Sequence, residues 1–271
     1  SKEYLKHAYM QQGSLFLRRR SYKKSIGQYE NAVQLDSTDA TAFYNLGLAY
    51  KGARTYKKAQ ETLGTATDLD PQHAKAFSAL GNLYKDTKRN SQAIKAYRKS
   101  LAIDNKNINA YRSLAQIYLR TKQVAKAVTT LRNALKAESK NTKVLVDLGY
   151  AQAQQKRYKG AINSYQRAIQ LNSKNPLAHY RLADAYFEIK QFQRAITSAR
   201  KATKRKRYAV PAHVIIGDSY EALKKPGWKE KAIEHYKKGL KDRRYKKYCE
   251  DKIDRILNPM ADGEESEAGS Q

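Results

Sequence analysis

The chain repeats itself every 34 residues, and no other feature limits so strongly what it can fold into. From starts at 40, 74, 108, 142, 176 and 210 the same small and apolar residues return at the same offsets. The eighth place holds Gly47, Gly81, Ala115, Gly149, Ala183 and Gly217, and the place before it holds Leu46, Leu80, Leu114, Leu148, Leu182 and Ile216. Three places further on stand Tyr50, Tyr84, Tyr118, Gln152, Tyr186 and Tyr220. The second half of each unit keeps the same register. Ala59, Ala93, Ala127, Ala161 and Ala195 fall at the twentieth place, and Leu63, Tyr97, Leu131, Tyr165 and Ala199 come four residues later. Small residues close the pattern at Ala66, Ser100, Ala134, Ala168 and Ala202.

Counting back gives a first unit from Lys6, with Tyr9, Gly13, Phe16, Ser25, Tyr29 and Ala32 in register and Gln12 in the leucine place. In the seventh unit Ala232 and Tyr236 arrive three residues late, after the Lys-Lys-Pro-Gly-Trp run at 224 to 228. Proline and glycine break helices. That run therefore predicts a longer turn between two helices, with Trp228 folding back onto the stack.

These landmarks (aromatic-x2-Leu-Gly-x2-Tyr, then Ala-x3-aromatic) resemble the tetratricopeptide repeat family over about residues 6 to 243. The closing proline of the family's pattern is present only as Pro71. The resemblance implies an all-α fold, a right-handed α-solenoid of antiparallel helix pairs. Neither helix of a pair can bury its apolar stripe alone. Small residues at the eighth, twentieth and twenty-seventh places let the helices approach, and leucines and tyrosines fill the gaps between pairs. One solenoid is expected over residues 1–257. It ends in a capping helix at 245–257, on which Tyr245, Tyr248, Cys249, Ile253, Ile256 and Leu257 recur at helical spacing before Pro259. Residues 258–271 carry Asp262, Glu264, Glu265 and Glu267 among Gly and Ser, which reads as a disordered acidic tail.

No run of eighteen apolar residues is present, so nothing in the sequence reads as a membrane-spanning helix. The chain opens at Ser1, without methionine and almost directly in a helix, which suggests that a signal peptide, an anchor or a disordered segment precedes it. That leans the localisation towards a bacterial cell envelope or membrane association, and a cytoplasmic location stays open. The single cysteine, Cys249, lies on the cap's apolar face and reads as a small core residue. The five histidines have no metal-ligand spacing; His179 and His213 take the place of the usual aromatic at the fourth position and read as packing residues. There is no phosphate-binding glycine loop, nucleophile elbow or zinc motif. The reading is a non-enzyme with no cofactor and no metal.

Charge is the next constraint. The formal net charge is +29. Arg18, Arg19, Arg20, Lys23 and Lys24 cluster in the first unit. Arg205, Lys206 and Arg207 follow the sixth, and Arg243, Arg244, Lys246 and Lys247 lead into the cap. One reading is a solvated coat that keeps the chain dispersed. The other is an electrostatic footprint for an acidic protein segment, an anionic membrane surface or nucleic acid. Nucleic acid has the least support, since no base-reading motif or Arg-Gly tract accompanies the charge. The clusters at 205–207 and 243–247 stand one unit apart, so they are expected on one basic edge.

In tetratricopeptide relatives the first helix of each repeat lines a concave groove, and partners bind there through the second, fifth, ninth, twelfth and thirteenth places. By that resemblance the first five repeats contribute Arg18, Lys51, Lys75, Lys85, Arg112, Arg120 and Lys143, against Asp86 alone. Repeats six and seven contribute Asp184, Glu188, Asp218 and Glu221. Tyr44, Tyr150, Tyr180 and Phe187 lie among them as apolar anchors. Fragments of the lysine/asparagine clamp that holds a partner's C-terminal carboxylate appear in Asn45, Lys75, Asn82 and Arg112. Met10 and Ser14 stand where it should open, so that use is not expected. The expected function is a non-enzymatic scaffold that binds a partner segment, one with an acidic stretch, and docks on an anionic surface. An anionic-polymer or nucleic-acid binder and a self-assembling scaffold are the alternatives. The apolar N-terminal flank at Tyr4, Leu5 and Ala8 is where a homo-oligomer or an upstream segment would cover the array.

Overall fold

The repeat starts at 40, 74, 108, 142 and 176 coincide with helix starts in the computed structural model, which describes residues 1–259, whereas the helices expected from 6 and 210 begin four residues early, at Lys2 and Lys206. The acidic stretch from Ala261 lies outside the described residues. The contacts divide the chain into two compact units, the first spanning Ser1–Ser139 and the second beginning at Lys140. The first unit contains α1 (Lys2–Arg18), α2 (Tyr22–Leu35), α3 (Ala40–Gly52), α4 (Tyr56–Leu69), α5 (Ala74–Asp86), α6 (Asn90–Ile103), α7 (Ile108–Arg120) and α8 (Val124–Ala137). In the second are α9 (Thr142–Gln154), α10 (Tyr158–Leu171), α11 (Pro176–Glu188), α12 (Phe192–Ala202), α13 (Lys206–Leu223), α14 (Trp228–Gly239) and α15 (Lys246–Leu257). No strand occurs among the described residues.

The sharp helix starts follow from one capping position. Asp39, His73, Asn107, Asn141 and Asn175 each accept a hydrogen bond from the backbone N–H three residues on, at 3.0 to 3.2 Å. Such a cap is worth about 1 kcal/mol and fixes where the helix begins. The seventh repeat has Ala209 in that place. Its first helix, α13, starts instead at Lys206, four residues early, and carries Pro211 inside it. With no capping side chain to stop it, the helix runs back towards the basic cluster.

Within each pair a small residue on the first helix lies beneath a large side chain on the second. A Cβ added to Gly13, Gly81, Gly149 or Gly217 would come within 2.5 to 2.7 Å of the rings of Tyr29, Tyr97, Tyr165 and Tyr236. These four tyrosines are almost fully buried. Where the second helix carries Leu131 or Ala199, the first carries Ala115 or Ala183; Gly47 over Leu63 is the one glycine facing a smaller partner. In the first unit α2 packs on α3, α4 on α5 and α6 on α7, and the first helices α1, α3, α5 and α7 adjoin in sequence. The second unit repeats the scheme through α14, onto which α15 packs.

Each first helix ends in a left-handed residue: Arg20, Arg54, Lys88, Lys122, Lys156, Lys190 and Lys224, with φ between 48° and 62°. In the first six the next residue's N–H closes back five residues, as in Ser21 to Phe16 (2.9 Å) and Gln123 to Tyr118 (2.7 Å), the bond that completes a Schellman turn. Glycine is the usual occupant of this position. A side chain there costs roughly 1 kcal/mol or more, yet every one of the seven is lysine or arginine. The long turn of the seventh repeat also forms, with Gly227 left-handed at φ 74°. Trp228 packs, partly buried, against the cluster of Val214, Ala232, Tyr236, Cys249 and Ile256. Cys249 is fully buried there, and burial pushes its thiol up to about 11.

Candidate partner-binding surface

The residues singled out for partner contact lie on the first helices of the repeats, and their surroundings differ between the two units. In the first unit Lys75 and Arg18 are exposed and Arg112 is half-buried. Lys75 pairs with no carboxylate among the described residues. Lys51 Nζ meets Asp86 Oδ2 at 3.0 Å, so one base and the acid of this face answer each other. Lys85 donates to Ser113 Oγ at 3.3 Å, and Arg120 donates to Asn90. Tyr44 lies half-buried against the His73 ring, 5.0 Å between centroids, and burial raises its hydroxyl pKa. The face in this unit is therefore basic, with apolar patches at Tyr44, Leu17 and Leu48.

The second unit shows a different use of the same places. Lys143 is exposed. Arg181 lies over the Tyr150 ring at 4.4 Å and covers one of its faces. Asp184 is half-buried, and burial raises its carboxyl pKa against the opposing pull of Arg181. Phe187 leans on Phe192, and the exposed Glu188 accepts from Tyr158 Oη at 3.1 Å. Asp218 and Glu221 are engaged inside the chain. Tyr236 and Tyr248 donate to Asp218 Oδ1 at 2.8 and 2.7 Å. Tyr236 also reaches Glu221 Oε2 at 2.7 Å, where Lys252 Nζ donates at 2.8 Å. Burial raises Asp218; the same burial would raise Glu221, but its bonds to Lys252 and Tyr236 outweigh it and hold the carboxyl below its usual value. These two acids fasten α15 to α13, so a partner that contacted them would have to displace the cap.

Sequence reasoning did not anticipate that the ninth place serves the core. Asn82 accepts from the hydroxyl of buried Tyr97 at 2.7 Å, Asp218 does the same for Tyr236, and Ser14 bonds to the Tyr29 hydroxyl. A buried hydroxyl left without a partner is costly, which explains a polar side chain at that place in these three repeats. The signal was legible as the recurrence of a tyrosine at the twenty-fourth place opposite a polar ninth.

Each of the two basic clusters near the C-terminus has a member near Tyr180 or its ring partner Tyr208. Arg207 lies over the Tyr208 ring at 5.7 Å, and Tyr208 stacks on Tyr180 with centroids 6.0 Å apart. Arg244 and Tyr245 stand close enough to Tyr180 to act on its hydroxyl pKa. Arg205, Lys206, Arg207, Arg243, Lys246 and Lys247 are exposed. Arg244 is also exposed but is held by both oxygens of Asp242, and Lys246 sits 3.8 Å from Glu250. At the other end Tyr4 is 76% and Leu5 43% exposed. No helix among the described residues is long and apolar enough to cross a membrane.

The chain belongs to the tetratricopeptide repeat family. The family model described as the C-terminal domain of cilia and flagella-associated protein 70 matches residues 2–175, and a model described as tetratricopeptide repeat matches residues 152–207. No curated protein sequence matches the chain. Among solved structures, the C-terminal part of a TPR repeat-containing protein from Cytophaga hutchinsonii aligns with a TM-score of 0.73 at 17% identity, over 88% of this chain and 97% of that one. MamA aligns at 0.57 with 24% identity, over 65% of this chain and 94% of its own. YrrB, described as a TPR protein with an unusual peptide-binding site, aligns at 0.59 with 18% identity, over 68% and 96%. At these identities the likeness concerns the fold.

One pair of histidines on this surface titrates below the usual range. His213 and His235 share a hydrogen bond between their Nδ1 atoms at 2.8 Å. Burial lowers both, and His235 falls to about 4, with the neighbouring His213 and Lys238 adding to the effect and Glu234 opposing it. An unfolded histidine titrates near 6.5, so between about 6.5 and 4 the unfolded chain binds more protons than the folded one. Stability should therefore fall as pH drops through that window. The thermal unfolding midpoint at pH 5 will lie below that at pH 7, and His213→Phe, which restores the usual aromatic, will narrow the gap. An equal gap in the variant would assign the acid sensitivity to other groups.

Proposed function

We propose that the protein is a non-enzymatic scaffold that holds a segment of another protein on the first-helix face of its first unit, and that this segment carries an acidic stretch. The observation that carries the reading is Lys75. It is exposed on that face, without a carboxylate partner among the described residues, one repeat away from Arg112 and two residues from His73, whose ring meets Tyr44. Aromatic and aliphatic side chains of this kind supply desolvated anchors, while the charges set register and encounter rate. Family membership supports a protein partner in general, and the peptide-binding site attributed to YrrB is consistent with it. Asp218 and Glu221 drop out of the contact set because the cap uses them.

The test is photo-crosslinking from positions 75 and 112 in extract of the source organism, with position 61 on α4 as reference, followed by titration of the captured polypeptide. Lys75→Glu combined with Arg112→Glu should weaken binding at least about tenfold, roughly 1.4 kcal/mol, without changing the helical signal. Binding that survives the double reversal places the partner elsewhere.

A second reading rests on the gathering of Arg207 and Arg244 around Tyr180 and Tyr208. It takes this basic edge, with Arg205, Lys206, Arg243, Lys246 and Lys247, as a dock for anionic lipid. Each base near such a surface contributes about 1 kcal/mol, fading within a Debye length of about 8 Å. Vesicles containing phosphatidylserine should retain the protein at low salt and release it at about 0.5 M, with neutral vesicles retaining none. Retention that ignores salt would require apolar insertion, and absence of retention at low salt would return this charge to a solvated coat.

A further inference from the structure

The seven left-handed turns carry an unexplained regularity: a position that favours glycine is lysine or arginine every time. In the first unit helix stability does not account for it. A cation complements the negative end of a helix dipole, but α1, α3, α5 and α7 already have one in unstrained backbone in the last turn, at Arg18, Lys51, Lys85 and Arg120. A strained position held by one chemistry points to use of that chemistry.

In the first unit the four turns form a row. Arg20, Arg54, Lys88 and Lys122 are all exposed and end neighbouring helices that run the same way. Packed helices lie about 8–10 Å apart, so one left-handed cation recurs roughly every 10 Å. The surrounding segments deepen the charge: residues 18–24, 52–58, 86–92 and 120–126 contain thirteen lysines and arginines against Asp86 alone. Asp86 is already matched by Lys51. The opposite edge of the unit, at 36–42, 70–76 and 104–110, carries Asp36, Asp39, Asp70 and Asp104 against Lys75 and Lys106. A uniform solvated coat would not sort its charge by edge in this way.

The geometry points to this edge as a docking surface for an extended acidic polypeptide, separate from the first-helix face. An extended chain rises about 3.3 Å per residue, so a carboxylate at every third residue keeps step with the turns. Single-stranded nucleic acid binds through aromatic rings on which its bases stack. Here the rings near the ends of the four first helices each have a cation over them: Phe16 has Lys24 (5.7 Å), Tyr50 has Lys58 (5.5 Å), Tyr84 has Arg89 (4.9 Å) and Tyr118 has Lys126 (5.9 Å). The edge supplies charge in register at all four turns, and its one exposed ring, Tyr56, is too few to stack a run of bases.

The strain at these turns makes the test clean, because glycine removes the charge and relieves the backbone together. The full chain is titrated with a fluorescent peptide of about twelve residues bearing glutamate at every third position, and in parallel with a single-stranded RNA and phosphatidylserine vesicles. A quadruple variant, Arg20→Gly, Arg54→Gly, Lys88→Gly and Lys122→Gly, should lose at least about tenfold in peptide affinity while its unfolding midpoint stays level or rises. A parallel set with glutamine at the same four positions should show the same loss, and it decides the matter if the glycine set folds poorly. Lys75→Glu with Arg112→Glu should leave this affinity within about twofold, so the edge and the first-helix face fail or stand separately. Unchanged peptide binding in both quadruple sets overturns the assignment. So does tighter binding of the RNA or the vesicles than of the peptide, with the loss confined to them.

Discussion

The close approach of two helices, a small residue beneath a large ring, is the contact on which this structure depends. With glycine at 13, 81, 149 and 217, the rings of Tyr29, Tyr97, Tyr165 and Tyr236 lie where a Cβ would otherwise be. That contact sets the spacing within each pair. The spacing aligns the polar ninth place with the tyrosine hydroxyl, and it leaves the outer places of the first helix open to carry charge. Because the same few residues fix the packing in each repeat, the rest of the surface can vary. The first unit uses that freedom for a basic face and edge. The second spends part of it on fastening a cap.

The cap shows how a surface residue becomes a structural one. Glu221 occupies a place that in a middle repeat faces outward and Asp218 the place that accepts from a buried tyrosine, but α15 presents Lys252 and Tyr248 to them. An open repeat end would expose an apolar flank, and a polar-faced terminal helix is the general remedy. Here the two acids supply the polar side of that seal, while Cys249 and Ile256 supply the buried side.

Most of the fold was legible because it rests on contacts between residues at fixed offsets. The starts at 40, 74, 108, 142 and 176 are helix starts, since an asparagine, aspartate or histidine cap stands just before each one. The start at 210 shifted because Ala209 cannot cap, a one-residue change whose consequence is local. The surface was less legible. Offsets alone place Asp218 outward and say nothing of a helix thirty residues on that turns back over it. The seven basic residues at the turns were visible as lysine and arginine, but their left-handed backbone was not, and without it their regularity reads as ordinary surface charge.

A double-mutant cycle at Gly81 and Tyr97 tests the central contact directly, with the unfolding free energy as readout. In an unstrained helix Gly→Ala is stabilising by about 0.5–1 kcal/mol. Here Gly81→Ala alone should cost roughly 1–3 kcal/mol by forcing the ring aside. In the background of Tyr97→Leu, which reproduces the alanine-over-leucine pairing of Ala115 with Leu131, the same change should cost little or gain stability, a coupling of at least about 1 kcal/mol. Additive effects of the two substitutions would contradict the account, since they would mean that the ring does not set how closely the helices approach.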